Sequence, residues 1–229
     1  VFREFGLALD AVLSKNKART VRVLVDYSSM PRAWYSEIVN YVKYCGAPDR
    51  VIMDMGYSVG EHVEFDYNKQ LSDPVILPGC EAVSAYAKET VAIFGLGFGQ
   101  GAAICMHRKI EPDVTMSLVA RPGALEDYAE LALEKNKDFL ESCSSATVFA
   151  PLGSVAQCYD TLNEMVFPYR SAALSVIVPF GPKPHALASI LMAMNFPEVT
   201  CLYTSIGGGG GNVVPTAELV LSRVRGSIE

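Results

Sequence analysis

Three short stretches hold residue types able to grip an anion. "DYSSMPR" (26–32) sets a carboxylate, Asp26, beside two hydroxyls, Ser28 and Ser29, and ends in a guanidinium, Arg32. "GLGFGQG" (95–101) offers backbone amides little obstructed by side chains, Gly95 and Gly97 foremost, and "FGPKP" (180–184) places the ammonium of Lys183 after Gly181 and between two prolines. Thr204 adds a hydroxyl at the end of the apolar run "VTCLYT". Cations and N–H groups attract a phosphate or carboxylate, and glycine lets backbone come close to it.

These stretches can act together only if the fold gathers them. The hydrophobic pattern predicts helices over 1–15, 31–44, 100–109, 125–142, 155–167 and 184–194, the second opened by Pro31 at the position proline favours. Strands are predicted over 21–26, 50–57, 90–97, 114–120, 146–150, 174–180, 199–204 and 217–224. Strands that are unbroken apolar runs, separated by helices, indicate one Rossmann-like α/β domain over 1–229, with a mostly parallel sheet of about six to eight strands and helices on both faces. Such sheets bind ligands outside the carboxyl ends of their strands. Each candidate lies at such an end: Asp26 to Arg32 at the first, Gly95 and Gly97 at the third, Gly181 and Lys183 at the sixth, Thr204 at the seventh. Two stretches, 58–84 and 205–215, interrupt the rhythm as long loops.

Composition narrows the partners. The 229 residues are 50% hydrophobic and 19% charged, enough for a proper core. A formal net charge of -6 and a pI of about 5.2 argue against an extended nucleic acid as partner. No apolar run reaches the roughly 18 residues of a membrane helix, and residues 1–13 lack the plan of a signal peptide, so a soluble protein without a membrane partner is expected. The six cysteines are scattered with no Cys-x-x-Cys pair and the three histidines stand far apart, which points to reduced thiols in a cytoplasmic protein and to no metal site. Valine at position 1 suggests a piece of a longer polypeptide, from which a partner domain is missing.

No familiar catalytic or cofactor signature is present. The glycine turn lacks the third glycine of a dinucleotide fingerprint, since Gln100 stands there, and the next strand ends in Ala120 and Arg121 rather than in an acid. No organic cofactor is expected, and the turn serves either close strand-to-helix packing or contact with another ligand. The phosphate-binding Walker loop and the Gly-x-Ser-x-Gly elbow are both missing. Asp26 and Ser29 are also typical of residues that bond turn amides and cap a helix. Glu61, Glu64 and Asp66 belong to an acidic run, and the five glycines at 207–211 make either a tether or an ordered lid.

Lys183 is the most informative single residue. It opens a helix, where a cation is unfavourable beside free N–H groups unless an anion arrives or the side chain swings into solvent. The stretch "VIVPFGPKPHALASILMAMNFPEVTCLYT" (176–204) resembles the strand, Gly-x-Lys turn, small-residue helix and strand of CRISPR-associated Rossmann-fold (CARF) sensor domains of prokaryotic antiviral defence. In that family the turn usually reads Gly-Gly-Thr-Lys and its glycine and lysine contact a cyclic oligonucleotide at a dimer interface; Gly181 and Lys183 match, while Phe180 and Pro182 replace the other two. The resemblance implies a sensor that binds a nucleotide-like anion as a homodimer and signals to an effector domain. Two alternatives stand beside it. One is an enzyme acting on a phosphorylated or nucleotide substrate, with Lys183 stabilising charge and Asp26 or Glu61 as base; the other is a degenerate Rossmann domain used for protein contacts.

Overall fold

Helical and β-branched segments alternate along most of the chain, and a computed structural model describes residues 2–62, 72–83, 89–99, 101–204 and 213–225. In order, these form α1 (Phe2–Lys15), β1 (Val21–Asp26), α2 (Arg32–Tyr44), β2 (Val51–His62), β3 (Val75–Ile76), β4 (Glu89–Leu96), α3 (Ala102–Ile110) and β5 (Val114–Ala120). There follow α4 (Tyr128–Lys135), α5 (Lys137–Ser142), β6 (Ala146–Ala150), α6 (Val155–Val166), β7 (Ala173–Pro179), α7 (Lys183–Asn195), β8 (Val199–Tyr203) and β9 (Val213–Arg225). Glu64, Asp66, Gln100 and the glycines at 207–211 lie outside the described residues.

The α/β class is as expected, but the strands divide into two sheets instead of one. Six form a sheet in the order β3-β8-β7-β4-β5-β6, all parallel except the two-residue β3. The other three form a mixed sheet, β1-β2-β9, with β1 parallel and β9 antiparallel to β2. β2 runs on through Ser58 to His62, where a loop was predicted, because it pairs with β9 as a long antiparallel ribbon; an irregularity in register falls between Ser58 and Gly60.

Successive residues of a strand point to opposite faces, and β4 shows both faces buried. Val91 and Ile93 join a core with α6 and α7, whereas Ala92, Phe94 and Leu96 join a second core with Met106 of α3, Ala132 of α4 and Phe139 of α5. The small sheet feeds both: Val25, Met53 and Met55 enter the first, Val59 and Val220 the second. Its opposite face is open, with Leu24 74% and Leu221 62% exposed, and there Asp54 accepts hydrogen bonds from Arg22 and Arg223.

The helix after Lys183 is buried on every side, unlike the other helices. Every residue of α7 from Pro184 to Met194 is buried, since the helix packs against α2, α6, β7 and β8. A helix apolar all round belongs inside a core. Two lysines stand at its ends, Lys183 at the first residue and Lys43 of α2, which donates to the carbonyl of Met194 at the last turn. His185 is buried within it, its Nε2 paired with the carbonyl oxygen of Pro151 at 3.2 Å, and burial pushes its pKa down to about 4. Another difference lies in the long helix predicted over 125–142, which breaks into α4 and α5 at Asn136. That side chain is buried and donates to the carbonyls of Gly97 and Ala132, both at 2.8 Å. No helix among the described residues is long and apolar enough to cross a membrane.

Candidate functional site

β1 and β7 belong to different sheets, yet the turns that follow them touch. α2 and α7 start in these turns, and their first residues, Arg32 and Lys183, reach across. Lys183 Nζ donates to the carbonyl oxygens of Ser28, at 2.5 Å, and Tyr27, at 3.4 Å. Arg32 Nη2 donates in return to the carbonyl oxygen of Gly181 at 2.8 Å, and its guanidinium lies 5.2 Å from the centre of the Tyr203 ring. The lysine thus neither swings into solvent nor waits on bare amides. It fastens the carbonyl end of β1, and Pro182 and Pro184 beside it contribute no N–H to the helix start.

The electrostatics follow from that geometry. Burial, then the nearby Arg32 guanidinium, pull the Lys183 pKa down from 10.5 to about 8, with Asp26 opposing them. Asp26 accepts hydrogen bonds from the hydroxyl and the backbone N–H of Ser28, at 2.6 and 3.0 Å, and these bonds hold its carboxyl below the usual range. Ser28 Oγ in turn accepts from the N–H of Ser58 on β2 at 2.7 Å, so its hydroxyl is already committed to joining the two strands. Ser29 is exposed, and α2 starts after Pro31 with no side-chain cap, so the capping role open to Asp26 and Ser29 reduces to the Asp26 turn. Glu61 is exposed on β2.

The glycines explain how closely the turns approach. A Cβ on Gly97 would lie 2.8 Å from the carbonyl oxygen of Phe180, one on Gly181 3.2 Å from that of Leu96, and one on Gly95 3.4 Å from Cα of Pro179. Gly95 and Gly97 therefore pack the β4 turn against the β7 turn, with Asn136 bracing Gly97 from the other side. Thr204 is buried and donates to the carbonyl oxygen of Ser72 at 2.6 Å, one residue beyond Tyr203. Asp26, Ser28, Arg32, Gly181 and Lys183 are thus joined directly, Gly95 and Gly97 adjoin them through backbone, and Thr204 follows the ring that Arg32 covers.

The site residues expected from the sequence did not include four tyrosines of this region, of which Tyr35, Tyr57 and Tyr203 feel the Arg32 charge. Tyr27 and Tyr35 are fully buried with ring centres 5.2 Å apart, Tyr57 lies 5.7 Å from Tyr27, and Tyr203 has been described. The spacing of Arg32 and Tyr35, three apart on one helix, places both on the same face and was the one available signal. A shallow depression beside His107, Arg108, Glu111 and Pro112 lies at the far end of α3, the pole of the sheet where β5 begins, away from these turns. Three of the six cysteines, Cys80, Cys158 and Cys201, are buried; Cys105 is exposed, and burial raises the Cys80 and Cys158 pKa values to about 12. No group of three or more metal-ligating residues comes together among the described residues.

No family model matches the chain, and no curated protein matches it.

Proposed function

We propose that this chain is a ligand-sensing regulatory domain of Rossmann-like build, which binds a nucleotide-like or other phosphate-bearing anion where the turns after β1 and β7 meet. The observation that carries this is the convergence of Lys183 and Arg32. The charges acting on Lys183 are the guanidinium of Arg32 and the single carboxylate of Asp26, so two partly desolvated cations face one anion. Such a cluster is stabilised by an added negative group, which also relieves the repulsion between the cations. The resemblance of 176–204 to CARF sensor domains supports the same assignment and adds a homodimer, an effector domain outside this chain and a cytoplasmic role in defence. An enzymatic reading gains less support, because Asp26 is held ionised by Ser28 and is a weak base there.

Thermal melting in a panel of nucleotides and cyclic oligonucleotides tests the assignment. One or more should raise Tm, Lys183→Ala should abolish the rise, and chromatography should recover the ligand unaltered. Recovered product would make the chain an enzyme. A panel in which no anion shifts Tm sinks the sensor reading.

A further inference from the structure

Beneath the turn that Lys183 closes, three buried donors face no acceptor. Among the described residues, the hydroxyls of Tyr27 and Tyr35 and the Nε of Arg32 have no hydrogen-bond partner, and both tyrosines are 0% exposed. Leaving a buried hydroxyl unpaired is costly. Other buried groups are mixed: Ser36 donates to the Pro78 carbonyl and Thr200 to that of Cys80, at 2.8 and 2.9 Å, whereas Asn40 Oδ1, Asn163 Oδ1, Ser175 Oγ and His185 Nδ1 are also unpaired, each on a different element from the other three. What sets Tyr27, Tyr35 and Arg32 apart is that they adjoin, the two rings 5.2 Å apart and the Arg32 charge acting on Tyr35.

We propose that Tyr27, Tyr35 and Arg32 form an internal receptor for one oxyanion group of the ligand, a phosphate in the first instance, set inward of Lys183. This rests on the anion-binding function proposed above and specifies which part of the ligand goes where. Arg32 lies one turn before Tyr35 on α2, its charge acts on the phenols of Tyr35 and Tyr57, and the Tyr27 ring stacks beside Tyr35. All three groups lack the same thing, an acceptor with several lone pairs and a negative charge to match the guanidinium, which is what a phosphoryl or carboxylate oxygen supplies. Asp26, the nearby carboxylate, is engaged with Ser28 instead. Burial raises the pKa of both phenols, so they remain donors at every physiological pH. Tyr27 joins the receptor to the rim, since its carbonyl accepts from Lys183 while its hydroxyl stands in the buried cluster.

Tyr27→Phe and Tyr35→Phe remove the hydroxyls and keep the rings. Each variant and the wild type would be titrated with inorganic phosphate by calorimetry, with chloride at matched ionic strength as control, and melted without phosphate. The expected result is phosphate affinity at least about 10-fold weaker in each variant, with the phosphate-free Tm unchanged or a few degrees higher. If the variants bind phosphate like the wild type while Lys183→Ala does not, the internal receptor is overturned and the rim site stands. A phosphate-free Tm several degrees lower in both variants would show that an internal water already serves the hydroxyls, and would also overturn it. Where only a nucleotide binds the wild type, that nucleotide replaces phosphate with the same two outcomes. No binding by the wild type to either removes the anion-binding function and the receptor together.

Discussion

Lys183 sits where two demands on its charge conflict. Its ammonium bonds to two carbonyls, yet burial and Arg32 favour losing the proton, so the folded chain releases it from about pH 8 while the unfolded chain keeps it to 10.5. Between those values the unfolded state binds more protons, so the Lys183 contribution to stability is lowest below pH 8 and rises as pH climbs toward 10.5. Urea midpoints should therefore improve over that window in the wild type relative to Lys183→Met. Anion binding should run the other way, weakening as pH passes 8, because the cation that attracts the ligand is being neutralised. Calorimetric titrations at pH 7 and pH 9.5 check this, and equal affinities at the two values would remove Lys183 from the ligand's charge partners. Two opposite slopes on one side chain distinguish a binding lysine from a scaffold lysine, which would show only the first.

Among the elements, side chains join the β1 and β7 turns, whereas the β4 and β7 turns meet through close backbone contact. Gly97→Ala drives a methyl group against the Phe180 carbonyl and should cost roughly 1–3 kcal/mol, as overpacking does. Asn136→Ala leaves the Gly97 carbonyl without its side-chain donor and should cost about 1–3 kcal/mol. Chemical denaturation measures both; a neutral result for Gly97→Ala would mean that the β4 and β7 turns separate freely. Neither cost was visible in "GLGFGQG", where the glycines suited packing and ligand contact equally well. The break between α4 and α5 was equally hidden, because Asn136 interrupts an apolar period only through a carbonyl 39 residues away.

Across the whole molecule, what could be read locally was read well. β1, β5 and β6 begin and end where their apolar runs do. Their allocation to two sheets could not be seen, because it depends on β2 pairing with β9 across most of the chain, and period-2 patterns carry no record of partners. The site was legible as a set of candidates at strand ends. Its wiring was not, since Lys183 and Ser28 stand 155 positions apart and the tyrosines look like ordinary core residues. The open face of the small sheet gives a prediction at this scale. Leu24→Thr and Leu221→Thr change groups already in water, so each should move the unfolding free energy by less than about 0.5 kcal/mol. A larger loss in the monomeric protein would show that this face is covered.

The most buried helix is also the one whose two ends are treated unequally. A lysine at each tip of α7 means that the tip at Met194 carries the sign its partial charge prefers, while the tip at Lys183 carries the wrong one. The helix behaves like a rod charged at one end only. An anion arriving at Lys183 offsets the charge at that end, and α7 is packed against α2, α6, β7 and β8, so a helix at the centre of the molecule is stabilised. Slower amide exchange on ligand binding is then expected at Met192 to Met194, about 15 Å along the helix from the binding turn.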